Sequence, residues 1–426
     1  MIGRLRRYRD LIANVASRLG ALAALALATL AVARGGGPEA VGIYVLLRML
    51  PSLVGVVSAS GLPGAVTYFL AGEHRGDRRL PLTVMSLALV GGTAGAVLWA
   101  ATAPLFGERL FPGLPLGLLL AASALVLTRV LVATGKSCSQ GSDDLPGANR
   151  VIVTEELMFL PAYGLVLLAG VDAFGAVIAA LLLADLATLS VAWSRLARRG
   201  FFRDAEHPSK DLAREIAGYG LRAQTGGVIT LLNLRLDFIL LSLLTGPGVL
   251  GVYAIASRFA ELVRIPGMSL TYVLYPRFAR AGRARATESA RRLVVKAGLL
   301  TAATVAPLWV GAALVIPAFY GSEFEPAVLP ARIILLGLVL NGVGAVVTAF
   351  LYGIGRPGLN SVAMGVGLVA TVALDLALIP AFHASGAAVA SAVAYALSSL
   401  VLVWFLIRES RSDRAVGVEE RAYAQS

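Results

Sequence analysis

The sequence predicts an all-α integral membrane protein with about twelve transmembrane helices in two parallel six-helix repeats, and three observations lead there. Of its 426 residues, 58% are hydrophobic and only 15% charged, with a mean hydropathy of +0.79. Soluble domains carry about 25% charged residues, so this balance belongs to a chain that lies largely in lipid. Apolar runs of about twenty residues, enough to cross the hydrocarbon core, recur from end to end. Segments of the first half also reappear in the second.

The first apolar run follows MIGRLRRYRD, a layout shared with secretory leaders. It is long enough to span the hydrocarbon and its neighbourhood recurs later, so it is read as the first span. The expected spans are 11–33, 41–70, 82–106, 114–134, 151–170, 173–194, 217–244, 249–275, 294–320, 331–354, 360–380 and 386–407. Each is read as helix, because backbone inside lipid must satisfy its own hydrogen bonds. The longest outer loop, 321–330, is too short to fold as a domain. The polar tail, 409–426, has the composition of a disordered segment.

Orientation follows from the loops, since cytoplasmic loops retain Lys and Arg. With the N-terminus inside, 27 of the 37 basic residues fall on inner segments, three (Arg34, Arg109 and Arg332) on outer ones and seven within spans. Both termini are therefore expected in the cytoplasm, with the chain in the inner (plasma) membrane. This distribution also accounts for the net charge of +12 without a nucleic-acid partner.

The repeat is visible in three places. GPEAVGIY at 37–44 matches GPGVLGVY at 246–253, an offset of 209; Pro146-Gly147-Ala148-Asn149 matches Pro357-Gly358-Leu359-Asn360, an offset of 211. Phe174 to Trp193 matches Ser385 to Trp404 at that second offset, with Gly175 on Gly386 and the two tryptophans aligned. Three matches in order at nearly constant offset mark a duplicated unit. Each repeat has an even number of spans, so both enter the membrane from one side, and transporters built this way bind substrate between the repeats near the midplane. The expected division is an N-terminal lobe 1–205, a C-terminal lobe 206–408 and the tail.

The hairpin 231–276 draws attention because its two apolar spans carry Arg235, Asp237, Arg258, Glu261 and Arg264. Ionisable groups inside a membrane face a partner or a wet cavity, so this hairpin is read as the lining of a polar path.

These segments carry a family resemblance. GPEAVGIY, the second helix closing on SASGLPGAVTYFLAGE, and RLDFILLSLLTGPGVLGVYAIASRFAEL together resemble the O-antigen and exopolysaccharide flippases. These form the polysaccharide-exporter branch of the superfamily that also contains the MATE drug exporters and the flippases of the peptidoglycan precursor. The resemblance covers nearly the whole chain. It implies a MATE-like V-shaped transporter that moves a polyprenyl-diphosphate-linked oligosaccharide between leaflets by alternating access, with membrane lipids around it. It also implies cavity arginines that meet the substrate anion, and a proton or sodium gradient (H+ or Na+) as the driving force. Twelve spans depart from the fourteen typical of peptidoglycan-precursor flippases.

On this reading the diphosphate needs fixed positive charge, and arginine's planar fork suits phosphate oxygens. Arg48 and Arg258 lie at similar depth in equivalent spans and are the leading substrate contacts; a structural ion pair is the competing role. Arg18, Arg264 and Arg235 complete the candidate set. Arg18 shares a face with Asn14 and is near enough to the surface to snorkel instead, as are Arg129 and Arg222. Arg258, Glu261 and Arg264 recur every third residue as one helical stripe. Asp237, which shares a face with Asn233, leads the ion-coupling candidates, followed by Glu261, Asp185 and Asp375, because a buried carboxylate can exchange a proton or cation. A salt bridge to Arg48 or Arg258 is the competing role for Asp237. Asp375 lies close to the outer end of its span, within reach of water.

Pro51, Pro63, Pro161, Pro266, Pro307 and Pro317 fall in spans and no single hinge is assigned to them. Asp143-Asp144 reads as a hydrated loop pair. One cysteine, Cys138, and three scattered histidines give no disulfide and no metal set. No phosphate loop, HExxH or GxSxG occurs, so no enzyme and no cofactor is expected. Three alternatives stay open: a MATE-like cation-coupled multidrug exporter, which calls for an acidic cavity; a glycan polymerase or ligase, which calls for a large outer loop; and a pore-like or scaffold membrane protein.

Overall fold

A computed structural model describes the backbone of residues 2–72 and 74–423, and their side chains except at 2–12, 14–15, 225–234, 265–266, 268–269, 272 and 411–423. Asn14, Asn233, Pro266 and the basic residues of both ends, singled out above, lie outside the described side chains. The chain is helical from end to end, with no strand among the described residues. Its helices are α1 (Ile2–Ser58), α2 (Leu62–Ala71), α3 (Leu80–Leu110), α4 (Leu116–Ala121), α5 (Ser123–Gly141), α6 (Leu145–Leu157), α7 (Phe159–Leu168), α8 (Ala173–Arg198), α9 (Lys210–Thr245), α10 (Pro247–Glu261), α11 (Arg264–Ala281), α12 (Arg283–Tyr320), α13 (Val328–Gly337), α14 (Asn341–Gly353) and α15 (Pro357–Tyr423).

Among the described residues, eight stretches are long and apolar enough to cross a membrane. Two of them are double passes. Ala16–Ser58 has 43 residues and breaks at Gly37, and Pro357–Ser410 has 54 and breaks at His383. At about 1.5 Å per residue, either one is far longer than the roughly 30 Å hydrocarbon core. Those eight stretches therefore hold ten of the twelve expected spans. The other two expected spans, 217–244 and 249–275, fall on α9 and on the pair α10–α11.

The breaks show how the duplicated motif acts. Gly37 has φ 67° and ψ −165°, and its repeat partner Gly246 has φ 91° and ψ 170°. This region of backbone space is open essentially to glycine alone. In each case proline follows at once, with φ already suited to the first turn of the next helix. The GP pair thus ends one span and starts the next.

The chain divides into two compact units, Met1–Leu231 and Leu232–Ser426, and the division falls inside α9. The first half of α9 belongs to the first unit by its packing. Tyr219 stacks on Tyr68 at 4.4 Å, and Leu212 and Ile216 join Leu62, Ala65 and Val84 in one core. Gly61 and Gly220 bring the two backbones together so closely that a Cβ on Gly61 would lie 2.5 Å from the Gly220 oxygen. In the second unit Leu274 and Phe278 of α11 pack with Val346 and Phe350 of α14 and Phe405 of α15. Leu105, Leu168 and Leu314, each at least three-quarters exposed, turn outward as lipid-facing residues do.

An ion pair ties helices at one end of each unit, with the charges reversed. In the first, Asp144 caps α6 through the Gly147 N–H and takes Arg195 of α8 in two bonds of 2.6 and 2.8 Å. In the second, Arg356, just before α15, reaches Glu409 at 3.1 Å, and Glu409 also takes Arg283. Asp144 is thus no hydrated loop residue. Its neighbour Asp143 is exposed beside Arg75, whereas the cap and the arginine fork bury Asp144.

Candidate functional site

The charged groups of the first unit converge from four helices. Arg48 of α1 pairs with Glu156 of α6 at 2.7 Å and donates to the Tyr44 hydroxyl, one helical turn back, at 3.2 Å. Arg129 of α5 reaches Glu155 at 3.0 Å and Asp185 of α8 at 3.1 Å. Thr128 donates to Asp185 at 2.7 Å, and Lys136 lies 3.7 Å from Glu155. Three cations and three carboxylates therefore balance inside apolar helices, where an uncompensated charge would be costly. One Glu156 oxygen and one Asp185 oxygen remain buried without a bond, which leaves acceptor capacity in the cluster.

This arrangement corrects one expectation. Arg129 does not snorkel: its side chain is only 8% exposed, because Asp185 and Glu155 hold it inside the unit. Arg222, in contrast, is exposed and bonds back to the Gly218 carbonyl. Glu155 and Glu156 are the residues that sequence reasoning missed. Their signal was two adjacent carboxylates a turn and a half into an apolar span.

The second unit centres on carboxylates. Asp237 of α9 is buried, accepts from the Phe238 N–H at 2.9 Å and from the Tyr253 hydroxyl at 2.8 Å. The same hydroxyl lies 2.8 Å from Ser391 of α15. Asp375 is fully buried with neither oxygen bonded. The expectation that water reaches Asp375 is therefore corrected: α15 turns this side chain into the interior of the unit, short of its break at His383.

The remaining candidates fall around this centre. Arg264 stacks 4.5 Å above the Tyr395 ring, with its Nε buried and unbonded. Arg235 is exposed and lies over Phe238 at 5.6 Å. Arg258 is half-buried, near enough to Tyr320 for its charge to act there, and Glu261 is exposed. The expected stripe is interrupted, since α10 ends at Glu261 and α11 begins at Arg264. Arg18 is exposed on α1. Among the described residues no group of three or more His, Cys, Asp or Glu is set to hold a metal.

Residues 24–282 match the family described as polysaccharide biosynthesis protein, well over half of the chain. The chain belongs to this family. No curated protein matches it significantly. Among solved structures, an inward-facing multidrug resistance MATE family transporter of the MOP superfamily is 17% identical, with 92% of this chain and 96% of that one covered and a TM-score of 0.74. The lipid II flippase MurJ, in an inward closed conformation, is 16% identical over 95% and 90%, with a TM-score of 0.70. A MOP superfamily transporter from Pyrococcus furiosus, whose binding pocket is described as reversed in polarity, is 17% identical over 93% and 95%, with a TM-score of 0.61. At these identities the likeness establishes the fold. This member of the polysaccharide biosynthesis family is thus a multi-pass membrane protein with the fold of MATE transporters and a lipid flippase.

Proposed function

We propose that the protein translocates a polyprenyl-diphosphate-linked oligosaccharide from the inner to the outer leaflet of the inner (plasma) membrane, for cell-surface polysaccharide assembly. Family membership supports the polysaccharide, and the fold shared with the lipid II flippase supports a lipid-linked cargo. The observation that carries the reading is Arg48, a largely buried guanidinium inside an apolar span, held by Glu156 at 2.7 Å. The diphosphate takes the place of Glu156 when substrate binds, and arginine's fork donates two parallel hydrogen bonds to its oxygens. Arg258 serves from the second unit, with Arg18, Arg235 and Arg264 as further contacts along the substrate's course. The lobes 1–205 and 206–408 alternate in access, with both termini in the cytoplasm.

Coupling rests on Asp237 and Asp375. Each is a buried carboxylate without a cationic partner among the described residues, and burial of an uncompensated negative charge favours binding of H+ or Na+. Asp185 and Glu261 are lesser candidates, the first because Arg129 already neutralises it.

The unbonded Asp375 also favours a second reading, a MATE-like exporter of organic cations. Lipid extracts of cells lacking the protein decide between them. Under the flippase reading, polyprenyl-diphosphate glycan accumulates facing the cytoplasm and disappears on re-expression. Unchanged glycolipid together with new sensitivity to organic cations selects the exporter.

A further inference from the structure

A cavity of about 700 Å³ opens on the first unit between α1, α6 and α8, and none of the residues discussed for transport lines it. Four arginines do: Arg150 from α6, and Arg195, Arg198 and Arg199 from the end of α8. Asp144, at its edge, accounts for two of them, with Arg195 in a double bond and Arg199 at 3.4 Å. Arg150 and Arg198 are exposed and make no ion pair among the described residues. One carboxylate offsets only one of the four charges, so a net excess of three remains beside the cavity, two of them on Arg150 and Arg198. Ser17, Asn149, Thr154 and Ser194 add hydroxyl and amide groups to its wall.

The rest of the lining, Leu145, Pro146, Val153 and Val191 among it, is apolar. Val153 begins an outward face of α6 and α7 that continues through Leu157, Leu165 and Leu168, which are 45%, 66% and 87% exposed. Their spacings of four, eight and three residues keep them on one side of the helix. A basic socket at the end of a bundle, with an apolar track leading from it, has the shape of an amphiphile. Its head carries negative charge and its tail lies against Leu157 and Leu165.

We propose that this pocket holds the phosphate headgroup of an anionic phospholipid of the inner leaflet. The leaflet assignment rests on the orientation read from the arginines, and the proposal does not require that the protein transports anything. The cavity falls within the roughly 300–1,000 Å³ of ordinary small-molecule sites. The two guanidinium groups more than offset the single negative charge of a phosphodiester, and their forks suit its oxygens. The apolar track favours a lipid over free phosphate.

The test is native mass spectrometry of the full chain in detergent micelles with equal amounts of phosphatidylglycerol and phosphatidylcholine. Wild type is expected to retain one phosphatidylglycerol in about thirtyfold preference, the ratio that two interfacial arginines at about 1 kcal/mol each give. Arg150→Gln/Arg198→Gln brings retention near parity, and Val153→Trp, which fills the cavity but keeps both charges, also lowers it. Arg292→Gln, at an exposed site elsewhere, leaves the preference intact. Three results overturn the proposal: no preference in wild type, unchanged preference in both pocket variants, or protection from heating by inorganic phosphate alone equal to that given by phosphatidylglycerol. A retained diphosphate glycolipid in its place overturns the phospholipid assignment. The wild-type comparison stands even where a variant fails to fold, and none of these results depends on flippase activity.

Discussion

Tyr44 and Tyr253 are repeat partners, both fully buried, and they hold opposite charges: Tyr44 accepts from Arg48, whereas Tyr253 donates to Asp237. One duplicated tyrosine thus serves a cation in the first unit and an anion in the second. The two substitutions should accordingly differ. Tyr253→Phe removes a bond to a buried carboxylate and is expected to cost about 1.5–3 kcal/mol. Tyr44→Phe costs less, because Arg48 keeps Glu156. Thermal unfolding in one detergent compares them, and equal losses would contradict the assignment.

Arg48→Ala is expected to abolish glycan export and to lower stability by about 1–3 kcal/mol, since it leaves the largely buried Glu156 without its cation. Arg48→Ala/Glu156→Ala should recover most of the stability and none of the export. Measuring both properties on all three proteins separates a substrate contact from a structural pair. Export restored in the double variant would assign Arg48 a structural role.

Asp375→Asn removes a buried charge and breaks no bond, so stability is expected to hold or rise. Asp237→Asn loses a charged acceptor for Tyr253 and should destabilise. Both should abolish the dependence of transport on the H+ or Na+ gradient. Gradient dependence that survives in both rejects the coupling role.

Asp144 lies outside the spans, where the bond from Arg195 holds its carboxyl below the usual carboxylate range against the opposing effect of burial. A depressed folded value means that the stabilisation is complete above the unfolded value, about 3.9. It is lost as pH falls through the folded value. Melting curves from pH 7 to pH 3 should show wild type losing stability at the acid end. Asp144→Asn should start lower, by about 3 kcal/mol if the pair behaves as buried, and lose less on acidification. Parallel losses would argue that other groups govern the acid limb.

Much of the fold is legible in the residues. GPEAVGIY and GPGVLGVY mark the repeat, and their first glycines adopt nearly the same backbone conformation at the same kind of break. Apolar length places the helices, since lipid imposes its thickness on the chain. The pairing of charges was not legible. Arg48 and Glu156 are 108 residues apart, and their meeting depends on how each helix is rotated about its axis, which packing decides. Asp375 reads from its position as near water, yet rotation of α15 turns it inward. Glu155 and Glu156 show that a carboxylate near a span's end need not lie in water when Arg129 and Arg48 wait at the same depth.

The most direct measurement uses purified full-length protein in vesicles carrying a fluorescent polyprenyl-diphosphate oligosaccharide, with a membrane-impermeant quencher reporting which leaflet holds it. An imposed H+ or Na+ gradient should drive the glycolipid across with wild type and not with Arg48→Ala. Inserted wild-type protein that leaves the glycolipid in place, yet moves an organic cation under the same gradient, would contradict the account.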